Sequence, residues 1–167
     1  MGVQTIEELF VEELKDIYSA EKQITRALPK LAKAATSPEL RTAFENHLEE
    51  TKGQIERLDQ IFEMLGKAAK GKMCHGMKGV LEEGSEVLEE TSKGNIRDAA
   101  LISAAQRVEH YEMAAYGSVR EYAKLLGQTD IAKLLEATLA EEKAADQKLS
   151  LISKEVNSEA QSESKAA

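Results

Sequence analysis

The sequence contains no tryptophan, and aromatic residues make up only 4% of its 167 positions. Proteins that stack nucleobases on aromatic rings need more such side chains, so this mode of binding is disfavoured. The net charge is −8, which also disfavours nucleic acid and anionic membrane surfaces as partners. We therefore expect neither a nucleic acid nor a membrane among the partners of the protein.

The sequence also contains only one cysteine, two prolines and no long apolar run. Cys74 is the single cysteine, so the chain cannot form an internal disulfide and suits a reducing compartment. The first residues lack the basic and apolar regions of a signal peptide, and no segment approaches the roughly 18 apolar residues of a membrane span. These absences predict a cytoplasmic location.

The residues that are present are typical of an all-helical protein. Hydrophobic residues make up 42% and charged residues 31% of the chain. Capping residues, glycines and apolar periodicity predict helices at roughly 6–35, 38–65, 79–92, 96–126 and 130–156. We expect one bundle domain over residues 1–156 and a disordered polar tail over residues 157–167.

The lengths of the connections predict the topology. Short turns join the first long helix to the second and the third to the fourth, so each pair is expected to form an antiparallel hairpin. About 30 residues join the second long helix to the third, enough to return along the bundle. The sequence therefore predicts an all-α, ferritin-like antiparallel four-helix bundle with one long crossover that carries a short extra helix.

Carboxylates interrupt the apolar stripes of the four long helices. Glu21, Glu50, Glu109 and Glu142 each lie near the middle of a helix, where leucine or isoleucine would be expected. A buried unpaired carboxylate costs several kcal/mol, whereas a whole domain is stable by only about 5–15 kcal/mol. Four such groups at one level must be protonated, paired with cations or bound to metal ions, unless the stripe is misjudged and they are solvated.

Metal binding is the interpretation that the neighbouring residues favour. His47, Glu112 and Asp146 lie beside the four glutamates and are further ligand types. The nearest lysines and arginines are one residue from a core carboxylate and so point about 100° away around the helix. We predict two divalent metal ions per chain, iron in the first place or manganese, because the ligand set is rich in oxygen.

Several segments resemble the YciE/YciF family of ferritin-like bacterial stress proteins over roughly residues 4–155. The matching stretches are SAEKQITRALPKLAKAA, FENHLEETKGQIERLDQ, RVEHYEMAAYGSVREYA and LAEEKAADQKL. The resemblance implies a four-helix bundle, a homodimer, expression under stress and a di-metal site like that of rubrerythrin. The second-helix Glu-x-x-His and the fourth-helix histidine of rubrerythrin are missing here, as is a cysteine-rich electron-donating segment.

Two functions therefore follow from the sequence as hypotheses. The first is a di-metal carboxylate protein that reacts with peroxide or dioxygen and takes electrons from an external donor. The second is a non-catalytic stress-response interaction protein whose metal site is structural or vestigial. The residues identify no catalytic group, so enzymatic activity stays open at this point.

Overall fold

The structure, a computed structural model, describes residues 2–166, with side chains through residue 163. Its secondary structure consists of helices, with no strand in the described range: α1 (Ile6–Ala34), α2 (Pro38–Met64), α3 (His75–Glu90), α4 (Asn95–Leu125) and α5 (Thr129–Ala166). The predicted all-α class is confirmed. None of the described helices combines the length and the hydropathy that a membrane span requires.

Local sequence signals account for most of the helix ends. Thr5 and Glu8 form the predicted capping box at the start of α1, and the hydroxyl of Ser37 caps α2 just before Pro38. Gly66 and Gly127 follow α2 and α4 with φ angles of +63° and +71°. That left-handed conformation closes both helices, because the next amides bond back to the last helical carbonyls.

The four long helices α1, α2, α4 and α5 form the bundle. Helices α1 and α2 pair as one hairpin and α4 and α5 as the other, while α2 packs against α5 and α1 against α4. The carboxylate of Asp98, in the first turn of α4, accepts the backbone N–H groups of Thr36 at 2.8 Å and Ser37 at 2.6 Å. The starts of α2 and α4 are thus side by side, so these helices run parallel and the predicted crossover topology is confirmed.

The crossover helix α3 begins at His75, four residues before the predicted start. Cys74 caps it, since its sulfur accepts the backbone N–H of Met77 at 3.4 Å and lies 3.0 Å from the Tyr111 hydroxyl. A Cβ atom at Gly76 would lie only 2.7 Å from the Tyr111 ring, so the close approach to α4 requires glycine. Cysteine is not a preferred N-cap residue, which is why the sequence pattern did not reveal this start.

Helix α5 continues well beyond the predicted end at residue 156. Val156 and Ala160 are both buried, one helical turn apart, and the Asn95 side chain donates to Glu163 at 3.0 Å. This small apolar pair keeps the segment helical through residue 166 although its composition is polar. Of the tail predicted over 157–167, Ala167 lies outside the described residues.

The core consists of two apolar clusters, one towards each end of the bundle. One contains Ile24, Leu28, Leu40, Phe44, Leu101, Ile102 and Leu149 among others, and the second contains Phe10, Leu14, Leu58, Phe62, Val119, Ile131 and Leu135 among others. Apart from Asp98 at the start of α4, the buried polar residues lie between the two clusters along the helices. Burial at both ends therefore shields this middle layer from water.

Candidate metal centre

A layer of polar side chains crosses the middle of the bundle. Its members are almost inaccessible to solvent: Glu21, His47, Thr51, Gln54, Glu109, Glu112, Thr138 and Glu142 are between 0 and 7% exposed. All four long helices contribute, because each carries a polar residue on its inward-facing stripe at this height. The predicted placement of acidic groups inside the bundle is thus observed.

Five of these residues form two groups with the spacing of metal ligands. His47, Glu109 and Glu142 form the first group, and Glu21, Glu112 and Glu142 form the second. In each group, one potential ligand atom per residue lies within 4.8 Å of the others. Glu142 belongs to both groups, as a carboxylate that bridges two ions about 3.5–4 Å apart would.

The helix positions explain why these residues meet. Glu109 and Glu112 are three residues apart on α4 and so project from the same face, one towards each group. Glu142 lies on α5, the hairpin partner of α4. Glu21 on α1 and His47 on α2 reach the same level from the other hairpin, which gives each group one ligand from that side.

Both ring nitrogens of His47 lie near carboxylates. Its Nε2 atom lies 3.2 Å from Glu109 Oε1 and 3.7 Å from Glu142 Oε2, whereas its Nδ1 atom lies 3.4 Å from Glu50 Oε2. Burial by itself lowers the pKa of His47, but Glu50 and Glu142 outweigh it and raise the pKa. A carboxylate behind the ring orients the imidazole and increases its basicity, as is usual for metal-bound histidines.

Glu21, Glu109 and Glu112 hold their protons strongly when no cation is present, because their pKa values are raised. Burial, together with the charge of Glu142, raises the pKa of Glu21 to about 8. Burial and the neighbouring carboxylates also raise the pKa of Glu109 and of Glu112 well above the ordinary value. The desolvation of these groups and their mutual repulsion both oppose ionisation.

Most of the carboxylate oxygens lack a hydrogen-bond partner. Eight carboxylate oxygens belong to Glu21, Glu109, Glu112 and Glu142. Six of the eight are buried with no hydrogen-bond partner among the described residues. Among the described residues, the only ion-pair partner of these four side chains is His47, which lies beside Glu109 and Glu142. A buried unsatisfied polar group needs an explanation, and a divalent cation in each group would satisfy these oxygens at once.

A tyrosine supports one of the proposed ligands. The hydroxyl of Tyr116, which is 1% exposed, donates a hydrogen bond to Glu21 Oε1. Burial and the charge of Glu21 raise the pKa of Tyr116 well above its ordinary value, so the phenol keeps its proton. Tyr116 thus holds Glu21 in place and leaves the other oxygen of that carboxylate free to face a cation.

An ion pair that the sequence did not reveal closes the α2–α5 side of the layer. Arg57 Nη2 lies 2.9 Å from Glu141 Oε1, and Arg57 Nη1 donates to Thr138 at 2.5 Å. The Gln54 amide donates to the same Glu141 at 3.0 Å. Glu141 is one residue from Glu142 and so points away from the inward-facing stripe, but the arginine side chain is long enough to reach it.

The structure places two of the seven predicted ligands outside the groups. The side chain of Glu50 is 50% exposed, because the inward-facing stripe of α2 passes from His47 through Thr51 to Gln54. Asp146 is partly buried and lies 3.1 Å from Gln106 Nε2 and 3.3 Å from His110 Nε2. Glu50 therefore supports His47 from behind, and Asp146 belongs to a polar contact between α4 and α5.

Comparison with known proteins gives a consistent assignment. The sequence profile of the domain of unknown function DUF892 matches residues 5–161. Protein YciF of Escherichia coli (strain K12) is 54% identical over 150 residues, which is 89% of this chain and 90% of that protein.

Solved structures agree with this comparison. The crystal structure of the E. coli stress protein YciF superimposes with a TM-score of 0.90 at 51% identity and covers 93% of this chain and 99% of its own. YcfI of Rhodopseudomonas palustris, described as a candidate structural protein, gives a TM-score of 0.86 at 46% identity over 89% of this chain and 94% of its own. A Xanthomonas campestris protein at 21% identity and a TM-score of 0.74 shows the shared fold alone.

Proposed function

The chain belongs to the DUF892 family, as its resemblance to YciF predicted, and we propose that it binds two divalent metal ions in the middle of its bundle. We further propose that it serves in a bacterial stress response, since the E. coli relative is described as a stress protein. The proposal depends on a single observation, the six buried carboxylate oxygens without a partner in two groups that share Glu142.

The donor set favours hard ions. The second group, Glu21, Glu112 and Glu142, offers oxygen only, and the first adds the single imidazole of His47. Carboxylate oxygen with one imidazole suits iron or manganese better than copper or structural zinc. Bound ferrous iron would supply the electrons that the reduction of peroxide or dioxygen requires.

The side chains around the groups have separate roles in this proposal. Glu50 orients the imidazole of His47, and Tyr116 holds Glu21 by its hydroxyl. The Arg57–Glu141 pair closes the α2–α5 side of the layer. Because two apolar clusters border the layer, water is largely excluded and each charge interaction is strengthened.

Metal content tests the proposal directly. Protein purified without an affinity tag is loaded anaerobically with Fe(II) or Mn(II), desalted and measured by inductively coupled plasma mass spectrometry. We expect about two ions per chain, and for the iron form a loss of ferrous iron when peroxide is added. Protein that retains no stoichiometric metal under these conditions would contradict the assignment of both groups.

A non-catalytic role is the second candidate. The description of the R. palustris relative as a candidate structural protein and the low exposure of the groups both favour it. In that case metal would raise the melting temperature without any metal-dependent consumption of peroxide or dioxygen. Measuring both quantities on the same preparation separates the two functions, because metal-dependent melting alone is compatible with either.

The resemblance also implies a homodimer, and a redox role would need an external electron donor because the chain has one cysteine and no cysteine pair. Both remain proposals, as does the cytoplasmic location. Sedimentation velocity across a tenfold range of protein concentration would test the homodimer. A monomer at all concentrations would contradict it.

A further inference from the structure

A cavity of about 120 Å³ borders the first proposed metal group. Ile24, Leu28, Phe44, Val108 and Leu149 form most of its apolar wall, and each is buried. An engineered apolar cavity of about 150 Å³ is large enough to bind benzene and stays free of water. The observed cavity is therefore the right size for a short alkyl or aryl group.

Exposed residues show where the cavity meets solvent. Asn46 and Glu50 on α2 and Ala144 and Lys148 on α5 line it and are exposed, whereas His47 on the same wall is buried. The opening thus lies between α2 and α5, and the cavity leads from the surface to the first metal group.

The polar atoms on the wall favour a neutral ligand. Glu109 is 3% exposed, lines the cavity and has one oxygen, Oε2, without a hydrogen-bond partner. A charged head group would lose its hydration at the buried end of the cavity, and the mouth carries both Glu50 and Lys148, so it favours neither sign of charge. A neutral group that can donate a hydrogen bond fits this end of the cavity, and an alkyl chain fits the rest.

Hydrogen peroxide has no apolar part that could use such a wall, and dioxygen has no hydrogen-bond donor for Glu109. We therefore propose that the cavity is the substrate pocket and that its ligands are small neutral alkyl hydroperoxides. The polar end lies at His47 and Glu109, and the alkyl chain lies against the apolar wall. This inference rests on the proposed function for the choice of a hydroperoxide, but the pocket itself is independent of metal.

Straight-chain alcohols are the probes, because they offer an O–H donor and the same alkyl chain but do not react. Isothermal titration calorimetry on metal-free protein measures the dissociation constants of 1-butanol, 1-pentanol and 1-hexanol. Each added methylene is expected to lower the dissociation constant roughly fourfold until the cavity is full. Hexanoate is expected to bind at least about tenfold more weakly than 1-hexanol, because its carboxylate loses hydration at the buried end of the cavity.

Two substitutions test whether the alcohols bind in this cavity, one by filling it and the other by enlarging it. Ala145→Leu fills the cavity from α5 and should weaken 1-hexanol binding at least about tenfold, with two metal ions retained. Ala115→Leu is the matched control, since Ala115 is also partly buried but does not line the cavity. Leu81→Ala opens the wall that this cavity shares with a neighbouring one between α1, α3 and α4, so longer alcohols should gain affinity.

The outcomes separate this inference from the proposed function. Alcohol binding that is absent, or that Ala145→Leu and Leu81→Ala leave unchanged, overturns the pocket even if two metal ions are bound. Alcohol binding without metal uptake keeps the pocket and refutes the metal function. In iron-loaded protein, Ala145→Leu should slow the consumption of hexyl hydroperoxide more than that of hydrogen peroxide; an equal effect on both refutes the substrate class.

Discussion

Removal of metal should leave a protein that becomes more stable as the solution is acidified. In the absence of a cation, Glu21, Glu109 and Glu112 have pKa values raised by burial and by neighbouring carboxylates. The folded state then holds protons that the unfolded chain has released. Stability is therefore fully present below the unfolded pKa of about 4.5 and is lost as the pH rises through the folded pKa.

The size of the effect can be worked out for Glu21. Its folded pKa of about 8 compares with an ordinary value of 4.5. At about 1.4 kcal/mol for each pH unit, this difference corresponds to a loss of stability on the order of 5 kcal/mol between pH 4.5 and pH 8. A loss of this size is comparable with the whole stability of many domains, so the metal-free protein should be marginal at alkaline pH.

Urea unfolding followed by circular dichroism measures this dependence. The free energy of unfolding of metal-free protein is determined at several values between about pH 8.5 and pH 5.5, where surface carboxylates stay ionised. We expect it to rise on acidification by at least about 1 kcal/mol for each pH unit. A flat or falling profile over this range would refute the burial of ionisable carboxyl groups.

Glu21→Gln tests whether Glu21 contributes to this pH dependence of the free energy of unfolding. The substitution removes one proton-binding group and its repulsion, so the metal-free variant should be more stable than the wild type at pH 8 and depend less on pH. With metal bound the order should reverse, because a ligand is lost. Glu49→Gln is the matched control, since its side chain is 71% exposed and contacts Lys52 rather than the buried layer, and it should change neither profile by more than about 0.5 kcal/mol.

Three further predictions concern single residues. Glu142→Gln should remove both ions, because Glu142 belongs to both groups, whereas Glu112→Gln should leave about one ion per chain. Metal content is measured by mass spectrometry, and equal content in the two variants would contradict the shared ligand. Tyr116→Phe should destabilise the protein in urea by about 1–3 kcal/mol, because Glu21 loses its buried donor, and no change would show that the hydrogen bond is absent in solution. Asp98→Ala should cost about 1.5–3 kcal/mol, because the N–H groups of the α1–α2 turn lose a charged acceptor; a cost below 0.5 kcal/mol would count against that contact.

The architecture was predictable because its signals are local. Thr5, Ser37, Gly66 and Gly127 act on the turns in which they occur, so the helix ends beside them could be identified from the chain alone. The lengths of the connections then determined which helices pair. The start of α3 was missed because its cap is Cys74, and cysteine is not a preferred N-cap residue.

The chemistry of the centre was also visible in the sequence, because a carboxylate on an apolar stripe contradicts the pattern around it. Five of the seven predicted ligands, Glu21, His47, Glu109, Glu112 and Glu142, do meet inside the bundle. Periodicity places a residue on a face only to within about one position, and Glu50 lies at that limit. The sequence therefore determined the residue types and the height of the layer.

Only the tertiary structure decided how these residues are divided between the two groups of ligands. The relative rotation of four helices places Glu142 between the two groups, turns Glu50 outwards behind His47 and brings Arg57 to Glu141. The same rotation leaves a cavity beside His47 that no periodicity encodes. These features depend on distances between residues far apart in the chain, and such distances are set by the packing of the whole bundle rather than by any one segment.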